Sequence, residues 1–140
     1  MALLFLLGTH CLARLGDSPT ECAARYGQPI SHGSGKDKGN ETGLDWYAYA
    51  SGGYEREVHF NHGRSVFEII WKIQQPDRPS ARPPLSEKVQ QLFLDENAIG
   101  MTWSKPVPSY KSLIWTRTDK ATAMYSNITN EMEFSSFRWQ

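Results

Sequence analysis

"RSVFEIIWKI", Arg64–Ile73, is the stretch on which the fold turns. It is a dense run of β-branched and aromatic residues at strand length. Phe67, Ile69, Trp71 and Ile73 share one side of an extended chain, because side chains alternate along a strand. A run this apolar is expected at the centre of a sheet.

Upstream, "YEREVHF" (Tyr54–Phe60) alternates. Tyr54, Arg56, Val58 and Phe60 fall on one side, with Glu55, Glu57 and His59 on the other. Asn61-His62-Gly63 supplies a tight turn between these strands. "DWYAYAS" (Asp45–Ser51) reads as a third strand, and Gly52-Gly53 is a two-residue hairpin signal. Before this meander, "SPTECAARYGQP" (Ser18–Pro29) reads as a short helix. Ser18 and Glu21 form a capping box, Pro19 suits the first turn, and Gly27 with Pro29 stops the run. "SHGSGKDKGNETG" (Ser31–Gly43) has nothing apolar to bury and reads as a mobile surface loop.

Downstream, the prolines of "QQPDRPSARPP" (Gln74–Pro84) exclude helix and inner strand. The pattern then starts again. Ser86 caps a helix over Glu87–Ala98, with Val89, Leu92, Phe93 and Glu96 at helical spacing. Strands are expected at Ser112–Thr118, Ala121–Ser126 and Glu131–Phe137. A shift of about 66 residues lays Glu21 on Glu87 and Asn61 on Asn127, the spacing of an internal repeat. The expected fold is therefore α+β: two tandem helix–three-strand antiparallel meander halves packed as one compact unit. Residues 14–75 form the first half, 76–84 a Pro-rich linker, and 85–140 the second half. The two meanders are expected to join or pack, with both helices on one face. The other is left open, with Glu55, Glu57, His59, Arg117, Glu131 and Glu133 available to line it.

The 140 residues carry 15 Lys and Arg against 15 Asp and Glu. This balance gives no basic field to steer the molecule toward nucleic acid or an anionic membrane. Residues 1–13 differ from the rest. "ALLFLLG" (Ala2–Gly8) is too short to span a bilayer. "CLA" (Cys11–Ala13) puts small residues where a signal peptidase reads, although no Lys or Arg precedes the apolar run. Residues 1–13 are expected to be a secretory signal peptide cleaved after Ala13, with the product periplasmic or secreted and not membrane-inserted. His10 before Cys11 does not fit a lipoprotein signal. Cleavage leaves Cys22 as the single thiol, so no internal disulfide is expected.

Cys22 has two readings. In the first turns of a helix its pKa could fall, and His32, His59 or His62 could serve as base. Alternatively it packs on the face it shares with Tyr26. Packing is the reading carried forward, and no catalytic residue is assigned. "GSGK" (Gly33–Lys36) is not a phosphate loop, since Ile30 and Asp37 stand where Gly and Ser or Thr are required. His59 and His62 flank a turn with no third ligand at a recognisable spacing, so no metal is expected. Glu55 and Glu57 lie two apart on one strand, whereas glycosidase carboxylates come from separate elements. Asn40-Glu41-Thr42 and Asn127-Ile128-Thr129 fit glycosylation sequons.

Glu21, Gly27, Pro29 and Trp46, then Ser86, Leu92 and Trp115, carry a resemblance in the order of elements. The chain resembles the small exported bacterial domains of the BamE (SmpA/OmlA) type. It is similar, through its doubled helix-plus-meander, to the tandem architecture of the β-lactamase inhibitory protein family. Its E-C-x-x-R-Y-G-x-P run (Glu21–Pro29) also resembles the start of a class of short exported bacterial proteins. The resemblance implies an envelope or secreted binding module without a cofactor. The chain departs from the first family in lacking a lipobox cysteine, and from the second in lacking paired cysteines within each half. The expected function is a non-enzymatic module that binds a protein partner through an exposed sheet face. The alternative is a small thiol-dependent enzyme or hydrolase using Cys22 with a histidine.

Overall fold

A computed structural model describes residues 14–39, 42–74 and 82–136. The signal expected at 1–13, most of the linker expected at 76–84, and Asn40-Glu41 of the first sequon lie outside the described residues. In chain order the elements are α1 (Pro19–Tyr26), β1 (Ser31–Gly33), β2 (Asp45–Ser51), β3 (Tyr54–Asn61) and β4 (Arg64–Lys72). There follow α2 (Glu87–Glu96), β5 (Val107–Ser109), β6 (Ser112–Thr116), β7 (Thr122–Ser126) and β8 (Glu131–Ser135).

The strands form one 8-stranded antiparallel sheet in the order β1-β2-β3-β4-β8-β7-β6-β5. This corrects the expected fold class. The protein is not a pair of helix–three-strand halves packed together. It is a single sheet with two short helices. The strand β4 pairs directly with β8, Ile70 standing opposite Met132, so the sheet runs unbroken through its centre. That pairing satisfies backbone N–H and C=O groups on both strands, which separate halves would have left unpaired. Strands β1 and β5 also lie outside the expected meanders. The first falls in the stretch read as a mobile loop, and the second contains Pro108, which an edge strand tolerates.

Local chemistry explains the elements. The Ser18 side chain accepts the Glu21 amide at 3.3 Å, while the Glu21 carboxylate accepts the Ser18 amide at 2.7 Å. Gly52 and Gly53 both have positive φ (62° and 86°), the geometry a two-residue hairpin needs. Under α1, Cys22 and Tyr26 pack with Tyr49, Val58 and Phe60. Under α2, Phe93 and Leu94 pack with Ile70, Trp115, Met132 and Phe134. Alternation places all these sheet residues on one face, so both helices cover the same side.

Arg56 of β3 joins the two clusters. It is buried, and it donates to the Tyr26 hydroxyl at 3.2 Å, Glu68 Oε1 at 3.2 Å and Glu96 Oε2 at 3.0 Å. Its guanidinium lies 4.6 Å from the Tyr26 ring centroid and 4.9 Å from that of Phe93. Asn97 Nδ2 donates to the second oxygen of Glu68 at 3.2 Å. Arg117, expected on the open face, is instead buried, donates to the Asn97 carbonyl and pairs with Asp119. The reason is register: Trp115 and Arg117 alternate onto the helix side.

Candidate functional site

The face opposite the helices is built from the other half of each alternation. Its centre is Phe67, Ile69 and Trp71 of β4, each only half-buried. On one flank these residues stand opposite His59, Glu57 and Glu55 of β3. On the other they stand opposite Ser135, Glu133 and Glu131 of β8. An apolar stripe therefore runs between two rows rich in carboxylates. The structure brings together the expected Glu55, Glu57, His59, Glu131 and Glu133 on this face, and excludes Arg117.

At the Trp71 end, the chain supplies its own cation. Arg82 stacks on the Trp71 ring, 4.4 Å from the centroid, and pairs with Glu131. The Arg82 carbonyl accepts Asn130 Nδ2 at 2.8 Å, and Trp71 Nε1 donates to Glu55 Oε2 at 3.0 Å.

At the Phe67 end, the described residues between β1 and β2, 34–39 and 42–44, lie beside the sheet. The Ser34 amide donates to Asp37 Oδ2 at 2.6 Å, and the Gly35 amide to Asp45 Oδ1 at 2.9 Å. Thr42 Oγ1 lies 2.8 Å from His59 Nδ1 and accepts the Leu44 amide at 3.3 Å. His59 Nε2 lies 2.7 Å from Glu57 Oε1. A carboxylate only accepts, so Nε2 carries the proton there. The indole of Trp46 lies close over Gly33, where an added Cβ would stand 2.4 Å from Nε1. Only glycine permits that approach.

Between these loop residues and the sheet lies an open cleft of about 720 Å³. Trp46, Phe67 and Ile69 give it apolar walls, and Asp37 and Lys38 reach it from the loop. Glu57 and Glu133 present carboxylates to it. Among the described residues Glu133 has no hydrogen bond or ion pair, and burial raises its pKa above the ordinary carboxylate value. A neighbouring hollow of about 260 Å³, lined by Phe67, Ile114, Met124 and Glu133 among others, continues the face toward β6.

The arrangement Thr42–His59–Glu57 has the order hydroxyl, imidazole, carboxylate that activates a nucleophile. Here the hydroxyl is already engaged by the Leu44 amide and the imidazole is only 4% exposed, so the chain of bonds works as a clamp on the loop. Cys22 lies on the opposite side of the sheet and is fully buried. Burial, with the carboxylate of Glu68 nearby, pushes its thiol up to about 12. His32 lies beside Tyr47 on the first edge strand and His62 is exposed in the β3–β4 turn. Among the described residues no hydrogen bond ties Cys22 to a histidine, and no group of three His, Cys, Asp or Glu is placed to hold a metal.

Sequence reasoning missed Trp46, Thr42, Phe67 and Arg82 as parts of this site. The period-two placement of Phe67, Ile69 and Trp71 between acidic neighbours was visible, but nothing in it said which side of β4 the helices would cover.

No family model matches the chain, and no curated protein matches it. Among solved structures, it is similar to an extracellular protein containing a SCP domain from Bacillus anthracis str. Ames. The two share 9% identity with a TM-score of 0.45, over 88% of this chain and 44% of that one. The chain thus spans less than half the length of that protein. Among the described residues, no helix is long and apolar enough to cross a membrane.

Proposed function

We propose that the protein is an exported, non-enzymatic binding module that holds an extended, basic segment of a protein partner on its open sheet face. One observation carries this reading. Phe67, Ile69 and Trp71 form an apolar stripe, partly open to solvent, between Glu55 and Glu57 on one flank and Glu131 and Glu133 on the other. An apolar stripe that the described residues leave partly open to solvent is suited to docking a partner. Side chains on one face of a strand repeat every ~6.8 Å, which is also the repeat of an extended peptide laid along it. The acidic flanks select basic side chains and repel acidic ones.

The buried thiol and the engaged Thr42 hydroxyl both speak against the hydrolytic alternative. The test is a selection of random linear peptides, displayed on phage, against the purified full chain. The expected outcome is enrichment of sequences in which Lys or Arg alternates with apolar residues, with capture lost in Ile69→Lys. Enrichment of acidic peptides, or no binder that depends on Ile69, overturns the proposal.

A further inference from the structure

Residues 14–17 are tied to the fold at nearly every backbone group, and the ties meet at a buried acid. Leu15 packs in the core with Phe93 and Leu94, and its amide donates to Asn97 Oδ1 at 3.1 Å. The Gly16 amide donates to the Ser65 carbonyl at 2.8 Å, and the Ser65 amide to the Asp17 carbonyl at 2.8 Å. The Arg14 carbonyl accepts the Asp17 amide at 3.1 Å and the Ser65 hydroxyl at 2.9 Å. Arg14 N donates to Asp17 Oδ2 at 3.0 Å. Asp17 is 8% exposed, and the same oxygen takes Arg25 Nε at 3.1 Å. Its Oδ1 has no hydrogen bond among the described residues. Burial raises this carboxyl above its ordinary value even with the Arg14 amide and Arg25 beside it, so the seat is short of positive charge.

Cleavage after Ala13 turns Arg14 N from a peptide nitrogen into an α-amine. We infer that Asp17 is the receptor for the resulting α-ammonium, so that removal of the leader adds a charge-assisted bond to a buried acid and completes the fold. The inference rests on the reading that the protein is exported, and adds what processing does to the folded chain. Water hydrolyses the Ala13–Arg14 amide. The carboxylate stays on Ala13 and leaves with the leader, while the amine stays on Arg14 and is protonated below about pH 8. No movement of Arg14 is needed, because its nitrogen already stands at hydrogen-bond distance from Oδ2. A charged donor on a carboxylate makes a bond about twice as strong as a neutral one. The other charges around the seat are Arg25 and Glu21 of α1, Arg64 of β4 and the Arg14 guanidinium itself. Glu21 and Arg64 pair with each other at 3.2 Å, and Arg25 stands against Oδ2, which leaves Oδ1 as a second acceptor for the new cation.

The experiment has two parts. The full chain is exported from a bacterial host and the mass of the product is measured, with a product beginning at Arg14 expected. Two purified chains are then compared by urea unfolding, one beginning at Arg14 and one that keeps Ala13. Both contain every described residue, and in the second the ammonium lies one residue farther out. At pH 7 the chain from Arg14 should have a folding equilibrium constant about fivefold or more higher, the difference between a neutral and a charge-assisted bond. An amine whose folded pKa is raised gives its full stability below its unfolded value, about 8, and loses it as pH rises through the folded value. The gap should therefore close by about pH 10. It should also vanish when both chains carry Asp17→Asn, and if that variant does not fold the pH series decides alone. Equal stability of the two chains, a gap unchanged at pH 10, or a gap that survives Asp17→Asn overturns the inference. So does a product that begins at any residue other than Arg14. A product that keeps residues 1–13 overturns the export reading with it, whereas cleavage after Ala13 without a gap sinks the seat and leaves export standing.

Discussion

Replacing Arg56 with Met removes the guanidinium that pairs with both Glu68 and Glu96 between the helices and the sheet. Glu68 and Glu96, 2% and 4% exposed, then face each other's surroundings without a partner guanidinium. Breaking a buried ion pair from one side costs about 3–5 kcal/mol, because a desolvated charge is left behind. The lost stacking on Tyr26 and Phe93 adds to it. For a chain of this length that corresponds to a fall in Tm of about 10–20 °C. The pH dependence has a definite sign. Burial already holds both carboxyls above their ordinary value of 4.5, against the pull of Arg56, and its removal raises them further. A carboxyl whose folded pKa is raised gives its full stability below the unfolded value and loses it as pH rises through the folded value. The deficit of Arg56→Met is therefore greatest at neutral pH and shrinks toward pH 4.5. Urea unfolding across that range measures it. Adding Glu68→Gln and Glu96→Gln should recover part of the loss, since the orphaned charges are then gone. A deficit under about 1 kcal/mol at pH 7, the range of an exposed pair, would refute the reasoning. A deficit that grows on acidification would refute it equally.

Two further outcomes are expected. In a Cys11→Ser background, Cys22 should be nearly inert to disulfide reagents at pH 7, because a thiol at about 12 is only about one part in 10⁵ thiolate. Its labelling should follow global unfolding across a urea series, and labelling at the rate of free cysteine would show an open thiol. Gly33→Ala drives a methyl to 2.4 Å from Trp46 Nε1, so the indole must swing away from β1. A shifted indole N–H resonance and a stability loss of about 1–3 kcal/mol are expected, and an unchanged indole signal would contradict the packing described.

Much of the secondary structure was legible because its signals are local. Capping residues, the Gly52-Gly53 turn and alternation in β3 act within a few residues, and the first helix has the bounds its caps imply. The assembly was less legible. In β4 the richer apolar side, Phe67-Ile69-Trp71, faces outward, and the side carrying Glu68 faces the helices. A carboxylate is tolerable there only because Arg56 and Asn97 come from other elements to meet it. That pairing is long-range, and no periodicity within β4 announces it. The joining of β4 to β8 is equally remote in sequence. Of the site, the acidic rows could be read from alternation. The cleft could not, since it depends on a glycine-bearing stretch that looked featureless yet folds into β1 and a clamped loop.

The two outermost strands, β1 and β5, are three residues each, and β5 has Pro108 in the middle. Borders this brief, one of them missing an amide, offer little template for another chain to extend the ladder. Growth of the sheet by a ninth strand is disfavoured at both borders, which guards the protein against stacking edge to edge into fibres.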